Sequence, residues 1–573
     1  MPPRRGTPRT LAVARGDEPA DLLLAGGRVF VPGTREWIKT DLAVADGVIA
    51  GWGPHDAVEV VDVAGASLTA GFIDPHMHLE STKLWVDEFV RTVLPHGTTA
   101  VAADPHEIAN VFGVPGVVAL AEAAKDLPFT FGICASSCVP ASPFESPAAV
   151  LDHAKLVELL DKHGAIGVAE VMDFPGVING DPEVLAKIAA AGGRRVDGHA
   201  PGIRGRQLDA YLAAGVESDH ECTDIDEADE KRRKGMWIFV REGSASRNLA
   251  ALVPTVLAHG AARIALCTDD REPDTLLDEG HINDCVRLAV AAGVPVEEAL
   301  VLATSNPADY HRFDHLGWLA PGYQADVLCF DDLATFEPVR VWQAGRLVAV
   351  NGQIVPGVVP AAPAPDWMCH SVHLGHPPGA EAFELPVPAS GRARVIGVES
   401  RSLSTKNLVV ELNGQRQAVA RIAAVERHQD TGRIGLGYVT GFGLVRGAIA
   451  STVAHDAHNC MVVGARDSSG PAEMAAAVAR LAEIGGGQVA VLDGRVIGEV
   501  ALRIGGLMSD KGAAEVAGEV RELSEVVSTR LGLTIEAPFM QLSFLGLTVI
   551  PELRMTDRGL FDVNAFSLVD VAV

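Results

Sequence analysis

Cysteine is scarce in this chain, and long apolar runs are missing. Eight cysteines are spread over 573 residues without a CxxC pair, a usage that predicts reduced, mostly buried thiols in a cytoplasmic protein. No segment approaches the roughly 20 uninterrupted apolar residues that a membrane helix needs. Residues 1–19 contain arginine but no apolar core of a secretion signal, so we expect a mobile leader there.

Basic residues are also few for the length of the chain. Lysine and arginine number 47 against 74 aspartates and glutamates, which gives a formal charge of −27, and the acidic residues are spread along the chain. Such a surface repels nucleic-acid phosphates and anionic lipid headgroups. The charge balance therefore argues against nucleic acids and membranes as partners.

The overall composition describes a well-buried globular protein of several domains. Hydrophobic residues make up 48% of the chain and charged residues 21%. A chain of this length exceeds one hydrophobic core, so two to four domains are expected. Residues 20–67 and 325–356 are patterned as short strands with Gly-Gly, Pro-Gly and Asp-Gly turns. We expect these two flanks to form one composite β-sandwich domain.

Residues 68–324, between the flanks, have a different pattern. Short β-rich runs alternate there with longer helical patterns, which is typical of a parallel sheet. The candidate strands cover residues 68–74, 98–104, 129–135, 165–171, 194–199, 215–220, 236–242 and 262–269. Eight strands over roughly 250 residues match a closed (β/α)8 TIM-like barrel. A doubly wound open sheet would carry a GxGxxG turn after its first strand, and that turn is absent, so we predict the α/β barrel.

The last third of the chain follows a proline-rich stretch. Residues 357–367 are typical of a linker. Beyond them, residues 368–573 combine strand patterns such as RARVIGV with a helical pattern, AEMAAAVARLAEI. We predict an additional C-terminal α+β domain in a position to close an active site.

The segment FIDPHMHLES contains the most informative pair of residues, His76 and His78. Residues i and i+2 of a strand point to the same face, so both imidazoles are directed into one space where the strand ends. Two convergent neutral imidazoles suit zinc, iron or manganese. Alone the pair is weak evidence, because single histidines are common in protein cores.

Later candidate strands end in further ligand-type residues: Glu170 on strand four, His199 on strand five, His220 on strand six and Asp269 on strand eight. Catalytic side chains of a barrel come from the C-terminal ends of its strands. Four histidines and two carboxylates exceed the needs of one tetrahedral ion and suit two divalent cations that activate a water for hydrolysis. Asp269 is placed to take a proton from that water and return it to a leaving group.

The strings around these residues resemble the bacterial adenine deaminase family of the amidohydrolase superfamily. The resemblance is carried by FIDPHMHLES, ADPHEIANVFG, GVAEVMDFPGVI, GHAPG, ESDHE, REGSASRNL, ALCTDDREPDTLLDEGHIND, VAHDAHN, GLMSD and PFMQLSFLGL. It covers nearly all of the chain beyond the leader. Several superfamily members use a carbamylated lysine at strand four, whereas this chain has Glu170 there. This difference reduces the number of families within the superfamily to which the chain can belong.

The resemblance implies a metal-dependent hydrolysis of adenine to hypoxanthine and ammonia by a metal-activated hydroxide. It implies two divalent ions per chain, Mn²⁺ or Fe²⁺ with Zn²⁺ as an alternative. The implied ligands are His76, His78 and Asp269 on one ion and His199 and His220 on the other, with Glu170 between them. The expected partners are a purine base and a second copy of the chain in a homodimer.

Two groups of polar residues at the same strand ends are candidates for substrate binding. Asp104, His106 and Glu107 follow strand two and fit either substrate contact or capping of the next helix. Arg241 ends strand seven. A purine ring nitrogen needs a proton donor during attack at the amino-bearing carbon, and we predict either Glu221 or Glu242, both next to these strand ends, as that donor.

His455 and His458 in AHDAHN lie far from the barrel in sequence. By themselves they are typical of a solvated histidine-rich turn. The family resemblance favours a loop over the mouth of the barrel, which excludes water and contacts substrate, over a third metal site.

Two other functions remain open. A ring-opening hydrolase of cyclic amides, like the dihydropyrimidinases of the same superfamily, is disfavoured by Glu170 and by the long C-terminal domain. A metal-free scaffold protein is disfavoured because a scaffold needs none of the six ligand-type residues.

Overall fold

The computed structural model describes residues 6–400, 402–413 and 419–573. The N-terminal flank contains one helix and five strands: α1 (Pro8–Arg15), β1 (Ala20–Val31), β2 (Glu36–Ala45), β3 (Val48–Trp52), β4 (Ala57–Asp62) and β5 (Ser67–Ala70). Strand β1 pairs antiparallel with β2 along one edge and parallel with β4 and then β5 along the other.

Helix α1 lies where a mobile leader is expected. The Thr7 hydroxyl accepts a hydrogen bond from the Thr10 amide and caps the helix. Arg9 Nη1 lies 2.9 Å from Asp46 Oδ1, and Val13 is fully buried against the β1–β3 strands. The expectation of a mobile leader through residue 19 is therefore wrong for residues 8–15, while residues 1–5 lie outside the described residues.

The central region, residues 68–324, alternates strands and helices. In this part of the described chain the strands are β6 (Phe72–Met77), β7 (Thr98–Ala103), β8 (Thr130–Ile133), β9 (Gly167–Val171), β10 (Arg195–Gly198), β11 (Ser218–Asp219), β12 (Trp237–Arg241) and β13 (Ile264–Cys267). The helices are α2 (Val86–Val93), α3 (His106–Ala124), α4 (His153–Lys162), α5 (Phe174–Asn179), α6 (Pro182–Ala189), α7 (Gly205–Ala213), α8 (Ile225–Arg233), α9 (Leu249–His259), α10 (Pro273–Asp278), α11 (Ile282–Ala291), α12 (Val296–Ala303) and α13 (Ser305–His311).

Neighbouring strands of the central region pair in parallel. The sheets are β6–β7–β8, β9–β10 and β11–β12–β13. A bridge between Ala135 and Val168 continues β8 to β9, and the Glu217 amide donates to the Val196 carbonyl between β10 and β11. A parallel bridge between Met77 and Asp269 joins the end of β13 to β6. The first and last strands are thus neighbours, and all carboxyl ends lie on one side.

The first predicted strand of this region, residues 68–74, is wrong as a single element. The chain breaks at Gly71, between β5 and β6. Strand β5 pairs with the C-terminal flank, which follows the central region as β14 (Val327–Phe330), β15 (Arg340–Gln343), β16 (Arg346–Val350) and β17 (Gln353–Ile354). Both flanks are hydrogen-bonded into one mixed sheet with the order β17–β16–β15–β14–β5–β1–β2–β3 and with β4 beside β1.

The C-terminal region is built on a second, mainly antiparallel sheet. Its strands are β18 (Arg392–Val398), β19 (Thr405–Glu411), β20 (Val419–Val425), β21 (Ile434–Thr440), β22 (Ala448–Ser451), β23 (Cys460–Gly464), β24 (Gly487–Leu492) and β25 (Arg495–Ala501), in the order β19–β18–β21–β20–β23–β22–β24–β25. Helices α14 (Gly470–Ile484), α15 (Ala513–Val526) and α16 (Pro538–Ser543) follow, with the small sheet β26 (Leu553–Thr556), β27 (Gly559–Asp562) and β28 (Ser567–Leu568).

The C-terminal region packs directly on the carboxyl ends of the central strands. A buried cluster combines Cys138 and Met172, which follow β8 and β9, with Phe544, Leu547 and Ile550, which follow α16. A further contact joins the Ser509 amide to the Lys83 carbonyl at 2.8 Å. These contacts enclose the strand ends, where the ligand-type residues lie.

Helix α3 is the one described helix with the length and apolar composition of a membrane span, and 56% of that stretch is buried inside the protein. Core helices of folded proteins pass the same test, so this feature is weak evidence for a membrane. Its backbone departs from helical geometry at Gly113 (φ 64°), which divides it into two helical pieces.

Lys231 on α8 holds together the loops that follow β10 and β11. Its ammonium lies 3.0 Å from Asp219 Oδ2 and 2.8 Å from the Ala200 carbonyl, and its side chain is fully buried. It also contacts Glu227 Oε1 at 2.6 Å. Residues 199 and 220, which these loops carry, both point toward the same strand ends.

We expect Lys231→Met to destabilise the protein strongly. The substitution leaves the Asp219 carboxylate buried without a counter-charge, and breaking a buried pair in this way costs about 3–5 kcal/mol. Thermal unfolding followed by circular dichroism should show a clearly lower midpoint. Lys162→Met is the matched control, because the Lys162 side chain is 71% exposed and pairs only at the surface. Equal midpoints for the two variants would contradict the expectation.

Candidate metal centre

Six predicted ligands meet at the carboxyl ends of the central strands. His76 lies near the end of β6, Glu170 near the end of β9, and His199, His220 and Asp269 within two residues after β10, β11 and β13; His78 directly follows β6. Each of the six residues is at most 4% exposed. The carboxyl ends of parallel strands meet at one edge, which explains why residues so distant in sequence converge.

Glu170 is the centre of the group. Its Oε1 lies 3.4 Å from His78 Nε2, and its Oε2 lies 2.8 Å from His199 Nδ1 and 3.3 Å from His220 Nε2. Burial favours the neutral carboxyl, but the charge and hydrogen bond of His199, with those of His220, outweigh it and hold the pKa of Glu170 well below its usual value. Glu170 is therefore an ionised carboxylate shared by imidazoles from both sides.

Asp269 lies at the other side of the group. Its Oδ1 is 3.1 Å from His78 Nε2 and 3.4 Å from His76 Nε2. The backbone at Asp269 adopts φ 58°, a left-handed conformation that non-glycine residues adopt mainly where local structure enforces it. Hydrogen bonds of its amide to the His76 carbonyl and of its carbonyl to the His78 amide hold the residue against β6.

The spacing of these atoms suits shared cations. Ligand atoms at roughly 2.1 Å from one ion lie about 3.4 Å apart in a tetrahedron and about 3.0 Å apart at neighbouring corners of an octahedron. The four separations among His76, His78, Asp269, Glu170 and His220 lie between 3.1 and 3.4 Å. Three of the ligand sets that could hold an ion are His76–His78–Asp269, His76–Glu170–His220 and His199–His220–Glu221.

Unpaired nitrogen atoms in this group point to the same conclusion. In the described part of the chain, His76 Nε2 and His199 Nε2 are buried without a hydrogen-bond partner. A buried polar atom in that state is unfavourable unless an ion or a water satisfies it. Imidazole and carboxylate together form a donor set for first-row divalent metals. The residues present therefore fit a divalent metal centre.

Arg241 connects the metal-type ligands to a further carboxylate. Its Nη1 lies 2.6 Å from Asp269 Oδ2, and its guanidinium contacts both oxygens of Glu221, with Nη2 at 3.0 Å from Oε2. Burial raises the pKa of both carboxyl groups, but the charge of Arg241 and the nearby histidines lowers the pKa by more than burial raises it. The pKa values of Glu221 and Asp269 therefore lie below their usual values. Arg241 thus keeps Glu221 and Asp269 ionised and fixed in orientation.

A cavity of about 320 Å³, its opening included, borders these groups. One side is polar and lined by predicted ligands together with His106, Glu221 and Arg241. The other side is apolar. It is formed by Met172 of the central region and by four residues of the C-terminal region, Leu403, Phe544, Leu547 and Ile550.

Some of the residues predicted to bind substrate line the cavity, and others are buried outside its lining. His455 lines the cavity, and its ring is stacked on Phe544 at 4.6 Å. Asp104, Glu107 and His458 are buried but are not among the described residues that line the cavity. Asp104 instead accepts hydrogen bonds from His106 Nδ1 at 3.1 Å and from a serine hydroxyl, so it orients His106.

Glu242 does not fit the predicted role of proton donor. It is not among the described residues that line the cavity; its carboxylate accepts the Leu249 amide at 3.3 Å and lies 4.0 Å from Arg247. Successive residues of a strand point to opposite faces, so Arg241 faces the centre and Glu242 faces away. The structure thus places Glu242 away from the described cavity lining, and its role as proton donor stays a prediction without support from this placement.

Sequence reasoning missed two acidic residues and most of the apolar wall. Asp270 and Asp456 both line the cavity. Each is adjacent to a predicted residue, Asp269 or His455, and that adjacency was the available signal. The apolar residues after α16 lie in the string PFMQLSFLGL and carry no local sign of their position, because a long-range packing contact places them there.

Comparisons with known proteins identify the family of the chain. The family model described as "Amidohydrolase family" matches residues 67–355, and that described as "Adenine deaminase C-terminal domain" matches residues 398–567. The chain is 43% identical over 570 residues to "Adenine deaminase 2" of Carboxydothermus hydrogenoformans, covering 98% of each chain. It is 42% identical over 574 residues to "Adenine deaminase" of Desulfatibacillum aliphaticivorans, covering 98% of this chain and 99% of that one. It is 41% identical over 566 residues to "Adenine deaminase" of Archaeoglobus fulgidus, covering 98% and 97%.

We expect Glu170→Gln to weaken metal retention. The amide has nearly the same shape, but it lacks the negative charge that the surrounding imidazoles and a cation need, and loss of a supporting group alone typically costs about 10–100-fold in affinity. Metal content after dialysis against a chelator, measured by mass spectrometry, should fall relative to the unchanged protein. Glu473→Gln is the matched control, since Glu473 is a buried carboxylate that only caps the Gly494 amide. Equal metal retention in both variants would contradict the assignment of Glu170.

Proposed function

The chain belongs to the adenine deaminase family of amidohydrolases, and we propose that it hydrolyses adenine to hypoxanthine and ammonia at a centre of two divalent cations. Its fold is that of an amidohydrolase with an additional C-terminal domain. One observation carries the proposal: six buried ligand-type side chains converge around Glu170 in a chain that matches adenine deaminases over 98% of its length.

The central strands β6–β13 form a closed (β/α)8 barrel in this proposal. Its support is the parallel pairing of neighbouring strands and the bridge from Met77 to Asp269 between the last strand and the first. The barrel domain spans residues 68–324, except that residues 68–70 belong to the flank sheet as part of β5. The proposed composite β domain comprises residues 20–67 and 325–356, and a linker of residues 357–367 leads to the C-terminal domain, residues 368–573.

The proposed ligands divide into two sets around Glu170. His76, His78 and Asp269 would hold one ion, and His199 and His220 would hold the other. Manganese and iron(II) fit a set of imidazoles and carboxylates. When bound, such ions would lower the pKa of a bound water toward neutrality and so supply a nucleophile for hydrolysis.

Asp269 acts on protons in this proposal. Its Oδ2 is held by Arg241 and its Oδ1 faces His76 and His78, so a carboxylate oxygen lies at the edge of the centre that borders the cavity. A carboxylate whose pKa lies below its usual value stays ionised and accepts a proton from the attacking water. It then returns the proton to the amino group, which leaves as ammonia.

Glu221 binds the substrate in its ionised form. Arg241 contacts both of its oxygens, and a carboxylate in that state accepts hydrogen bonds and does not begin the reaction as a proton donor. It therefore holds an N–H group of the base. The attacking water supplies two protons. Asp269 passes one of them to the amino group, and the other must reach the ring nitrogen by way of a carboxylate.

The cavity favours a free base over a nucleoside. Its volume of about 320 Å³ includes the opening to solvent, so the enclosed space beside the ligands is smaller than this figure. Phe544, Leu547 and Ile550 cover it from the C-terminal side, and the planar base can lie against this apolar wall. A ribose on N9 needs additional volume, which these residues occupy.

We expect Asp269→Asn to lose activity by about 10²–10⁴-fold or more, the usual size of a lost general acid–base contribution. The amide keeps the shape of the side chain but cannot accept the proton. Adenine turnover followed by the ultraviolet change is the measurement, with metal content determined on the same samples. Asp326→Asn, a buried carboxyl in the flank sheet that contacts Gln324 and the Ala344 amide, is the control. Near-normal turnover of Asp269→Asn with its metal retained would remove the proton-transfer role.

Substrate selectivity tests the function as a whole. We expect hypoxanthine and ammonia from adenine and little or no turnover of adenosine, cytosine or dihydrouracil, because buried polar groups left unpaired by the wrong ring lower its turnover strongly. Chelation should abolish activity, and manganese or iron(II) should restore it.

Efficient hydrolysis of a dihydropyrimidine with adenine inert would support the ring-opening alternative. Full activity of a metal-free preparation would overturn the metal centre.

A further inference from the structure

A second group of buried ligand-type side chains lies beside the six-ligand centre and includes none of its members. We propose that this group, the seam cluster of His106, Glu107, His455 and Asp456, binds an additional divalent transition-metal cation. Two of its residues begin helix α3 of the central region, and two belong to the C-terminal region. The proposal does not depend on the substrate of the neighbouring centre.

The four side chains are linked in series by separations close to those of ligand atoms around one ion. His455 Nδ1 lies 3.4 Å from Glu107 Oε1 and 3.8 Å from Asp456 Oδ1, and His106 Nε2 lies 3.5 Å from Asp456 Oδ1. Ligand atoms of His106, Glu107 and His455 all lie within 4.8 Å of one another. Atoms that share one ion at roughly 2.1 Å are about 3.4 Å apart in a tetrahedron, so small adjustments suffice.

The hydrogen bond of His106 leaves its other ring nitrogen available as a ligand. His106 Nδ1 lies 3.1 Å from Asp104 Oδ2, and a carboxylate only accepts, so Nδ1 carries the proton. Nε2 has no hydrogen-bond partner among the described residues and lies 3.5 Å from an oxygen of Asp456. In the neutral ring this nitrogen carries a lone pair, so either a proton or a cation must lie between it and the carboxylate oxygen. A carboxylate that orients a histidine in this way is a common feature of metal sites.

His458 has a different role. Its Nδ1 accepts a hydrogen bond from the Ala454 amide at 3.1 Å, so the neutral ring carries its proton on Nε2 and cannot offer that atom to a metal. Nε2 lies 3.8 Å from Glu107 Oε2. At this distance the two atoms form no hydrogen bond, and both are without a partner among the described residues; the other oxygen of Glu107, Oε1, faces His455.

The buried carboxylates around the seam cluster also favour binding of a cation. Glu107 is fully buried, and its Oε2 has no hydrogen-bond partner among the described residues. Ser81 contacts both Glu107 and Asp270 with one hydroxyl, and one oxygen of the buried Glu80 is also without a partner. Carboxylates crowded in this way are stabilised by a bound cation.

A cation in the seam cluster connects the two regions of the protein. Glu107 and His106 begin the helix after β7, whereas His455 and Asp456 lie in the segment between β22 and β23 that borders the cavity. The ion thus holds this segment against the central region. Sequence reasoning favoured a covering loop there over a third ion, and the geometry combines both features.

Metal stoichiometry is the test. Protein stripped with a chelator is reloaded with Mn²⁺, freed of unbound ions and analysed for manganese per chain by mass spectrometry. We expect three ions in the unchanged protein and two in Glu107→Gln. His199→Ala, which disrupts only the six-ligand centre, should keep the seam ion, and Mn²⁺ should still raise its thermal midpoint.

Matched variants make the outcome decisive. Glu145→Gln should retain three ions, because Glu145 is a buried carboxylate of the same neighbourhood that contacts Ser142 and Thr548 instead of the cluster. His455→Gln should lose the same single ion as Glu107→Gln, and circular dichroism checks that each variant folds. If Glu107→Gln fails to fold, the His455→Gln result decides.

Two results overturn the proposal. Two ions in both the unchanged protein and Glu107→Gln would mean that protons, not a metal, hold the cluster together. Three ions in every seam variant would place the additional ion elsewhere. A protein that holds three ions and loses one in the seam variants, but leaves adenine unchanged, would keep the seam site while removing the proposed deaminase function.

Discussion

The burial of ionised carboxylates at the carboxyl ends of the central strands is the constraint on which the rest of the structure depends. Glu170 and Asp269 are 3% and 4% exposed, and an unpaired carboxylate at such depth is strongly unfavourable. Arg241 and the surrounding imidazoles compensate part of this charge. A divalent cation bound there would compensate the remainder, and metal affinity would then be linked to folding of these loops.

Buried residues that do not belong to the six-ligand group hold the segments that carry these carboxylates and imidazoles. Asp219 accepts the Ala200 and Glu221 amides and the Lys231 ammonium, and thereby sets the loops on which His199 and His220 lie. Asp74 accepts the His76 amide and the Thr268 hydroxyl and so ties the start of the HxH segment to β13. Buried polar groups with all partners satisfied specify one geometry, which a metal centre requires.

The ligands could be predicted from the sequence because the rule that locates them is local. A polar residue at the end of an apolar β-rich run lies at the carboxyl edge of a parallel sheet, and this holds for His76 and Asp269 alike. Side-chain direction was not equally readable, since Glu242 follows Arg241 on β12 and faces the other way. Helix α1 escaped notice because Thr7–Thr10 capping spans too few residues to give a periodic pattern. The wall around Phe544 depends on contacts between segments about 400 residues apart, such as Cys138 with Phe544, which no local pattern records.

The cavity separates two tasks between two regions of one chain. The polar side belongs mainly to the central strands, whereas most of the apolar side belongs to the C-terminal region. In the proposed function the first performs the chemistry and the second determines which ring fits. His455 joins the two sides, because its ring is stacked on Phe544 while its Nδ1 faces Glu107. A change in the C-terminal wall can therefore alter the substrate without moving a ligand of the centre.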